Sequence, residues 1–207
     1  MFYHENKAKE NGFEFIVGID EAGRGPLAGP VVAAAVLLKT QEFQNKIRDS
    51  KKLSASQREK AFVEIRNNAY VGVGILNEGI VDSLNILRAS HQAMSIAVSQ
   101  LIEKLPKTET LRKDFEQKVF LLIDGNSFDS DLPYAYQPIV GGDSLSCSIA
   151  AASIIAKVTR DRILNIYDRI FPQYGFKKHK GYPTQAHRLA IQQFGLSRIH
   201  RKTFKHL

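Results

Sequence analysis

Three carboxylates set the chemistry open to this chain. Asp20 and Glu21 are adjacent and follow the apolar run Ile16-Val17-Gly18-Ile19, and Asp124 follows a second apolar run, Val119-Phe120-Leu121-Leu122-Ile123. Short apolar runs of this kind read as buried strands, so each acid sits where a strand has just left the core. Holding like charges beside a core is costly unless a cation, a proton or hydrogen bonds compensate them. A divalent ion is the simplest compensation, because Mg²⁺ takes hard carboxylate oxygens and keeps several waters. If the two strands lie side by side, Asp124 faces Asp20 and Glu21, and the three acids share one metal site. Ligands collect at such C-terminal strand edges in open α/β sheets. A single strand-end aspartate otherwise serves as an ordinary loop cap.

Gly23-Arg24-Gly25 comes next in the chain. It puts permissive backbone on both sides of a guanidinium with five donors, an arrangement suited to a phosphodiester or a sugar rather than an apolar substrate. No histidine is common to the acids and no nucleophilic triad stands out, which argues against covalent catalysis and for metal-assisted phosphodiester hydrolysis. Glycine runs matching a Walker A loop or a dinucleotide fingerprint are absent from the sequence.

The elements that must position these residues follow from pattern. Residues 15–38 give two strands joined by the glycine- and proline-rich turn. A capping box of Ser56 and Glu59 opens a helix to about residue 69, and residues 70–76 alternate Val71, Val73 and Ile75 with glycines as a strand with room on one side. Residues 79–105 read as one long amphipathic helix whose stripe includes His91 and Met94, both as packing residues. A charged connection, KTETLRKDFEQK, leads to the strand at 118–123. Residues 137–140 form a short strand, Gly141-Gly142-Asp143 breaks it, and Ser146 or Ser148 caps a helix with a small, apolar first half. Pro183-Thr184 starts a last helix to about residue 194. Residues 1–14 are polar and read as frayed or lightly packed, and the basic tail after Gly195 as disordered or part of a binding footprint.

A length of 207 residues suits one domain, and the formal net charge of +8 favours a polyanionic partner, most often nucleic acid. Lys177, Lys178, His179 and Lys180, interleaved with Phe176 and Tyr182, form a basic patch beside aromatic rings, suited to stacking on a base or sugar with phosphates held nearby. The same run is otherwise a solvated face. One cysteine, Cys147, excludes an intrachain disulfide and a cysteine-rich zinc site, and fits a reducing cytoplasm. The first residues resemble neither a signal peptide nor an anchor, and no apolar stretch is long enough to span a bilayer.

The segment DEAGRGPLAGPVVAAAV resembles the opening strand and loop of bacterial ribonuclease HII, and DSKKLS, IDGN, the Gly142-Asp143 turn and HKGYPT resemble its further motifs in the same order. The likeness spans residues 15–197 and implies a ribonuclease H-like α/β fold: a central mixed sheet, antiparallel in its first pair, with the strand at 118–123 parallel to the first. One domain over 1–207 is implied, with about 171–207 as a C-terminal helical substrate-binding extension. The implied activity is hydrolysis of the RNA strand of RNA–DNA hybrids and cleavage 5′ of single ribonucleotides in duplex DNA, leaving 3′-hydroxyl and 5′-phosphate ends.

Two Mg²⁺ or Mn²⁺ ions are implied, with Asp20 and Asp124 touching both, and Glu21 and Asp143 one each. Ser50 and Lys51 match residues on the nucleic-acid backbone, Tyr182 the tyrosine at the ribose-side nucleotide, and Gly23, Arg24 and Gly25 are suited to read the 2′ hydroxyl. Asp161 is an alternative fourth acid, or pairs with Arg160, Arg162 or Lys157 to support the fold. His187 has no assigned duty. Relatives commonly carry Gly-Asp-Ala-Lys-Ser where this chain has Gly142-Asp143-Ser144-Leu145-Ser146, so the lysine's contact is missing at Leu145. The protein reads as a cytoplasmic monomer. Alternatives are a ribonuclease HIII-type hybrid nuclease without junction specificity, disfavoured by the short segment before the first strand, a non-catalytic nucleic-acid-binding protein, and a small phosphatase acting on mononucleotides.

Overall fold

Valine- and alanine-rich segments build the middle of a five-stranded sheet. The computed structural model describes residues 1–110 and 112–205. In it β1 (Phe15–Ala22), β2 (Val31–Leu38), β3 (Ala69–Leu76), β4 (Val119–Asp124) and β5 (Ala135–Ile139) lie in the order β3-β2-β1-β4-β5. β1 runs antiparallel to β2 and parallel to β4, as the sequence implies. The helices, in chain order, are α1 (Tyr3–Glu10), α2 (Ala55–Asn68), α3 (Glu78–Leu84), α4 (Ile86–Glu103), α5 (Lys107–Thr110), α6 (Phe115–Lys118), α7 (Gly142–Leu145), α8 (Cys147–Ile170), α9 (Phe176–His179) and α10 (Gln185–Phe194).

Strand alternation sorts the side chains into two layers. Val17, Ile19, Leu121 and Ile123 pack with Ala93, Ala97 and Leu101 of α4 on one face. On the other, Val32, Ala34 and Val36 meet the alanines of α8 and Phe62 and Ile65 of α2. The small residues of α8 allow it to lie almost on the backbone of β1. A Cβ at Gly18 would stand 2.1 Å from the carbonyl carbon of Ser148, so only glycine fits there. A separate cluster, including Leu27, Leu164, Phe176, Ile191 and Ile199, fastens residues 171–201 to the loop after β1 and to the far half of α8.

Four expectations need correction. The first residues are not frayed: α1 docks through Glu5, whose buried carboxylate accepts hydrogen bonds from Ser146 Oγ (2.7 Å), Ser148 N (2.8 Å) and Ser148 Oγ (2.8 Å) at the start of α8. The long helix is two, because Asn85 takes φ +68° and its side chain caps α4 through the N–H groups of Leu87 and Arg88. The capping box of α2 is Ser54 with Gln57, two residues before the pair the spacing suggests. Phe176 is fully buried and stacks on Tyr174 at 5.3 Å, so that ring belongs to the core rather than to a base-stacking face.

Of the two serines, Ser146 caps α8. The charged connection holds α5 and α6, its Leu111 lying outside the described residues, as do His206 and Leu207 of the tail. Among the described residues no helix is long and apolar enough to cross a membrane.

Candidate active site

The β1–β4 register decides where the acids go. Ile19 pairs with Ile123, so the next residues, Asp20 and Asp124, leave the ladder side by side. Nine of the ten residues assigned from sequence to the acids and their immediate substrate contacts, Asp20, Glu21, Gly23, Arg24, Gly25, Ser50, Lys51, Asp124 and Tyr182, line one cavity of about 200 Å³. Asp143 is not among the lining residues but stands against them: Lys51 Nζ is 3.9 Å from its carboxylate, and the neighbouring Gly142 N–H donates to Asp124 Oδ1 at 2.7 Å.

Burial and mutual repulsion mark the acids. Asp20 is 5% exposed. Burial first, then the charges of Glu21 and Asp124, push its carboxyl well above the ordinary range, against hydrogen bonds from Ser153 and the Glu21 N–H. Glu21 is raised by burial, pulled back by Arg24 and pushed up again by Asp124. Asp143 is raised by burial and by Asp49 and Asp124, with Lys51 opposing. Burial lowers Lys51, but Asp143, Asp20, Asp49 and Asp124 together outweigh it and hold the ammonium above its usual value. These directions all describe a buried excess of negative charge.

Do these residues fit a divalent ion? The donors are hard carboxylate oxygens, and Glu21 Oε2 is buried with no hydrogen-bond partner. Their fit is chemical rather than pre-set. Among the described residues no three His, Cys, Asp or Glu side chains stand at metal-ligating spacing. Three of the acids instead commit an oxygen to a protein donor: Asp20 Oδ1 to Glu21 N–H (2.6 Å), Asp124 Oδ1 to Gly142 N–H, and Glu21 Oε1 to Arg24 at 3.3 Å.

Other expected residues find plain roles. Asp161 pairs with Lys157 at 2.7 Å and does not line the cavity, whereas Lys157 does. His187 is buried, its Nδ1 2.9 Å from the Tyr182 carbonyl oxygen, and so supports the segment that presents Tyr182. Leu145 is 49% exposed, and the cations near Asp143 come from Lys51 and from Lys52, whose Nζ reaches Ser144 Oγ at 3.3 Å.

Sequence reasoning missed several neighbours. Ser153 bonds Ser50 Oγ at 2.9 Å, Asp49 faces Asp143, and two buried arginines, Arg160 and Arg201, lie beneath the Gly23–Gly25 loop. Ser153 carries a faint signal as a polar residue in the apolar half of α8. The arginines carry none, since only tertiary packing brings them there.

A mixed sheet with acids at the ends of β1 and β4, covered by α8, is a ribonuclease H-like architecture. The ribonuclease HII of the PCNA:RNase HII complex from Archaeoglobus fulgidus shares it, with a TM-score of 0.72 at 24% identity over 93% of this chain and 96% of that one. Bst-RNase HIII in complex with Mn²⁺ gives 0.70 at 16% identity over 96% of this chain and 70% of that one. The family model for ribonuclease HII matches residues 17–207. Ribonuclease HII of Syntrophus aciditrophicus (strain SB) is 51% identical over 206 residues, 99% of this chain and 91% of that protein. That of Ruminiclostridium cellulolyticum is 50% identical over 205 residues, 99% of this chain and 75% of that protein. The chain therefore belongs to the ribonuclease HII family, and ribonuclease H activity on RNA–DNA hybrids comes with that membership.

Proposed function

We propose that this ribonuclease H also cleaves on the 5′ side of a single ribonucleotide embedded in duplex DNA, by two-metal-ion phosphodiester hydrolysis that leaves 3′-hydroxyl and 5′-phosphate ends. The observation that carries the reading is one cavity in which buried, mutually repelling carboxylates adjoin a main-chain donor loop and an exposed tyrosine. Asp20, Asp124, Glu21 and Asp143 would hold the ions, with Asp20 and Asp124 the candidates for contacting both. When bound, two Mg²⁺ or Mn²⁺ ions would activate the attacking water and neutralise charge on the leaving 3′ oxygen. The Mn²⁺ held by the Bst enzyme supports a divalent ion here.

Gly23, Arg24 and Gly25 read the ribose 2′ hydroxyl, the group that DNA lacks. Tyr182, 43% exposed, closes over the sugar: its Cε1 is 3.8 Å from where a Cβ on Gly25 would be. Ser50 and Lys51 hold a backbone phosphate. The whole chain acts as one ribonuclease H-like domain, with residues from about 171 onward as its substrate-binding extension. A cytoplasmic monomer is the form proposed, in keeping with a single buried cysteine whose thiol burial pushes up to about 12.

The test is incubation with a labelled DNA duplex containing one ribonucleotide, with Mg²⁺, with Mn²⁺ and with chelator. Cleavage immediately 5′ of the ribonucleotide, abolished by chelator, is expected. Cleavage of a continuous hybrid only would instead place the enzyme with junction-insensitive nucleases of the ribonuclease HIII type.

A further inference from the structure

The loop from Gly23 to Pro30 is held from below by two buried guanidinium groups. Arg201, in the tail beyond α10, has no exposed surface. Its Nε donates to Gly29 O (3.0 Å), its Nη1 to Arg24 O (3.0 Å) and Pro26 O (2.9 Å), and its Nη2 to Gly23 O (2.6 Å) and Gly29 O (2.8 Å). All five donors of an arginine are thereby placed on one loop. Arg160 of α8 adds Pro30 O (3.0 Å), Ala28 O (3.0 Å) and Lys180 O (2.9 Å), the last tying in the segment that carries Tyr182. The fit is tight: Gly23 takes φ +102°, and a Cβ there would stand 2.2 Å from Arg160 Nε.

Peptide planarity turns this into a statement about the other side of the loop. Described peptide bonds are trans, so the N–H of Arg24 is antiparallel to the carbonyl of Gly23, and the N–H of Gly25 to that of Arg24. Both carbonyls point at Arg201, so both N–H groups point away from it. Among the described residues neither N–H has a protein acceptor. Two adjacent main-chain donors are thus left open on a loop that lines the cavity beside Tyr182.

We propose that Arg201, assisted by Arg160, is a positioning residue that fixes the Arg24 and Gly25 N–H groups for the ribose hydroxyl and so sets the preference for ribose over deoxyribose. The inference rests on the reading of the Gly23–Gly25 loop given above. A guanidinium is required because no lysine reaches four carbonyls in one plane; its ammonium is a compact point charge with three donors.

The test compares the affinity of the full chain, in chelator so that nothing is cleaved, for a duplex with one ribonucleotide and for the all-DNA duplex of the same sequence. In Arg201→Lys the ribonucleotide preference falls by about tenfold, the worth of one hydrogen bond, while affinity for all-DNA duplex stays within about twofold. In Arg201→Ala, added guanidinium ion restores part of the preference. Arg160→Lys, measured in the same way, shows a selective loss too and covers the case in which the Arg201 variants do not fold. An unchanged preference in any folded variant, or equal weakening on both duplexes, overturns the proposal. A wild type with no preference would instead sink the reading of the loop, so the two failures are distinct.

Discussion

Two buried charged clusters flank the loop after β1, and they are compensated in opposite ways. The guanidinium groups of Arg160 and Arg201 are ringed by main-chain carbonyls, and although burial draws them down to about 10 and about 9, they stay charged at neutral pH. The carboxylates of Asp20, Glu21 and Asp143 stand among like charges, and all are raised. Carbonyl dipoles satisfy the first cluster within the fold. The second is left with negative charge that the fold does not neutralise. A cluster at rest holds backbone, and a cluster under stress awaits a ligand.

Substituting within each cluster separates these roles. Asp124→Asn should lower cleavage of an RNA–DNA hybrid by about a thousandfold, equivalent to ~4 kcal/mol of barrier, with the protein still folded. Asp20→Asn should do the same while raising Tm by about 2–4 °C, since removing a desolvated, repelled charge relieves roughly 1 kcal/mol in a chain of this size. Unchanged turnover in either variant would remove the acids from the reaction. The arginine cluster should behave in reverse. Arg201→Ala, by stranding buried carbonyls, should cost about 3 kcal/mol and lower Tm by roughly 6–12 °C. A melt that does not move would mean water replaces the guanidinium without loss.

The difference between the clusters also explains what could be read in the sequence. Asp20, Glu21 and Asp124 were legible because each ends an apolar run, and strand period and length locate such positions without tertiary knowledge. Their adjacency was only a condition in that reading, with the parallel pairing implied by family likeness; the β1–β4 register is what makes Asp20 and Asp124 neighbours. Asp143, Ser50, Lys51 and Tyr182 rested on family likeness, and the structure brings them to the same cavity or its edge. Arg201 was invisible, and Arg160 was read only as a possible partner of Asp161, because both are separated from the loop by 130 or more residues and sit in segments whose basic composition suggests solvent. Glu5 was hidden for a similar reason. A polar helix reads as loosely attached until one of its acids is seen capping α8.

Metal addition sharpens the comparison from the ligand side. If the acids are the stressed cluster, Mg²⁺ at about 100 times its dissociation constant should stabilise the wild type by ~2.7 kcal/mol without any nucleic acid present. The shift should persist in Arg160→Lys and vanish in Asp20→Asn, read by thermal melts with Mg²⁺ and with chelator. A shift of equal size in Asp20→Asn would place the bound ion elsewhere on the protein.

Lys51 stands between the two kinds of compensation and should show the smallest effect. Its side chain is 81% exposed, yet the four surrounding acids hold its charge in place, with Asp143 3.9 Å away. An exposed ion pair of this length contributes little to stability. If its work is to hold a phosphate, Lys51→Ala should leave Tm and saturated turnover nearly unchanged, weaken duplex binding by less than about tenfold, and reduce the dependence of log affinity on log salt by about one unit. That loss should be equal for duplexes with and without a ribonucleotide, because a phosphate contact carries no information about the sugar. If saturated turnover fell with the salt slope intact, Lys51 would act on the acids rather than on the substrate. It would then belong to the carboxylate cluster, as the internal cation that Arg160 and Arg201, facing the loop's carbonyls, do not supply.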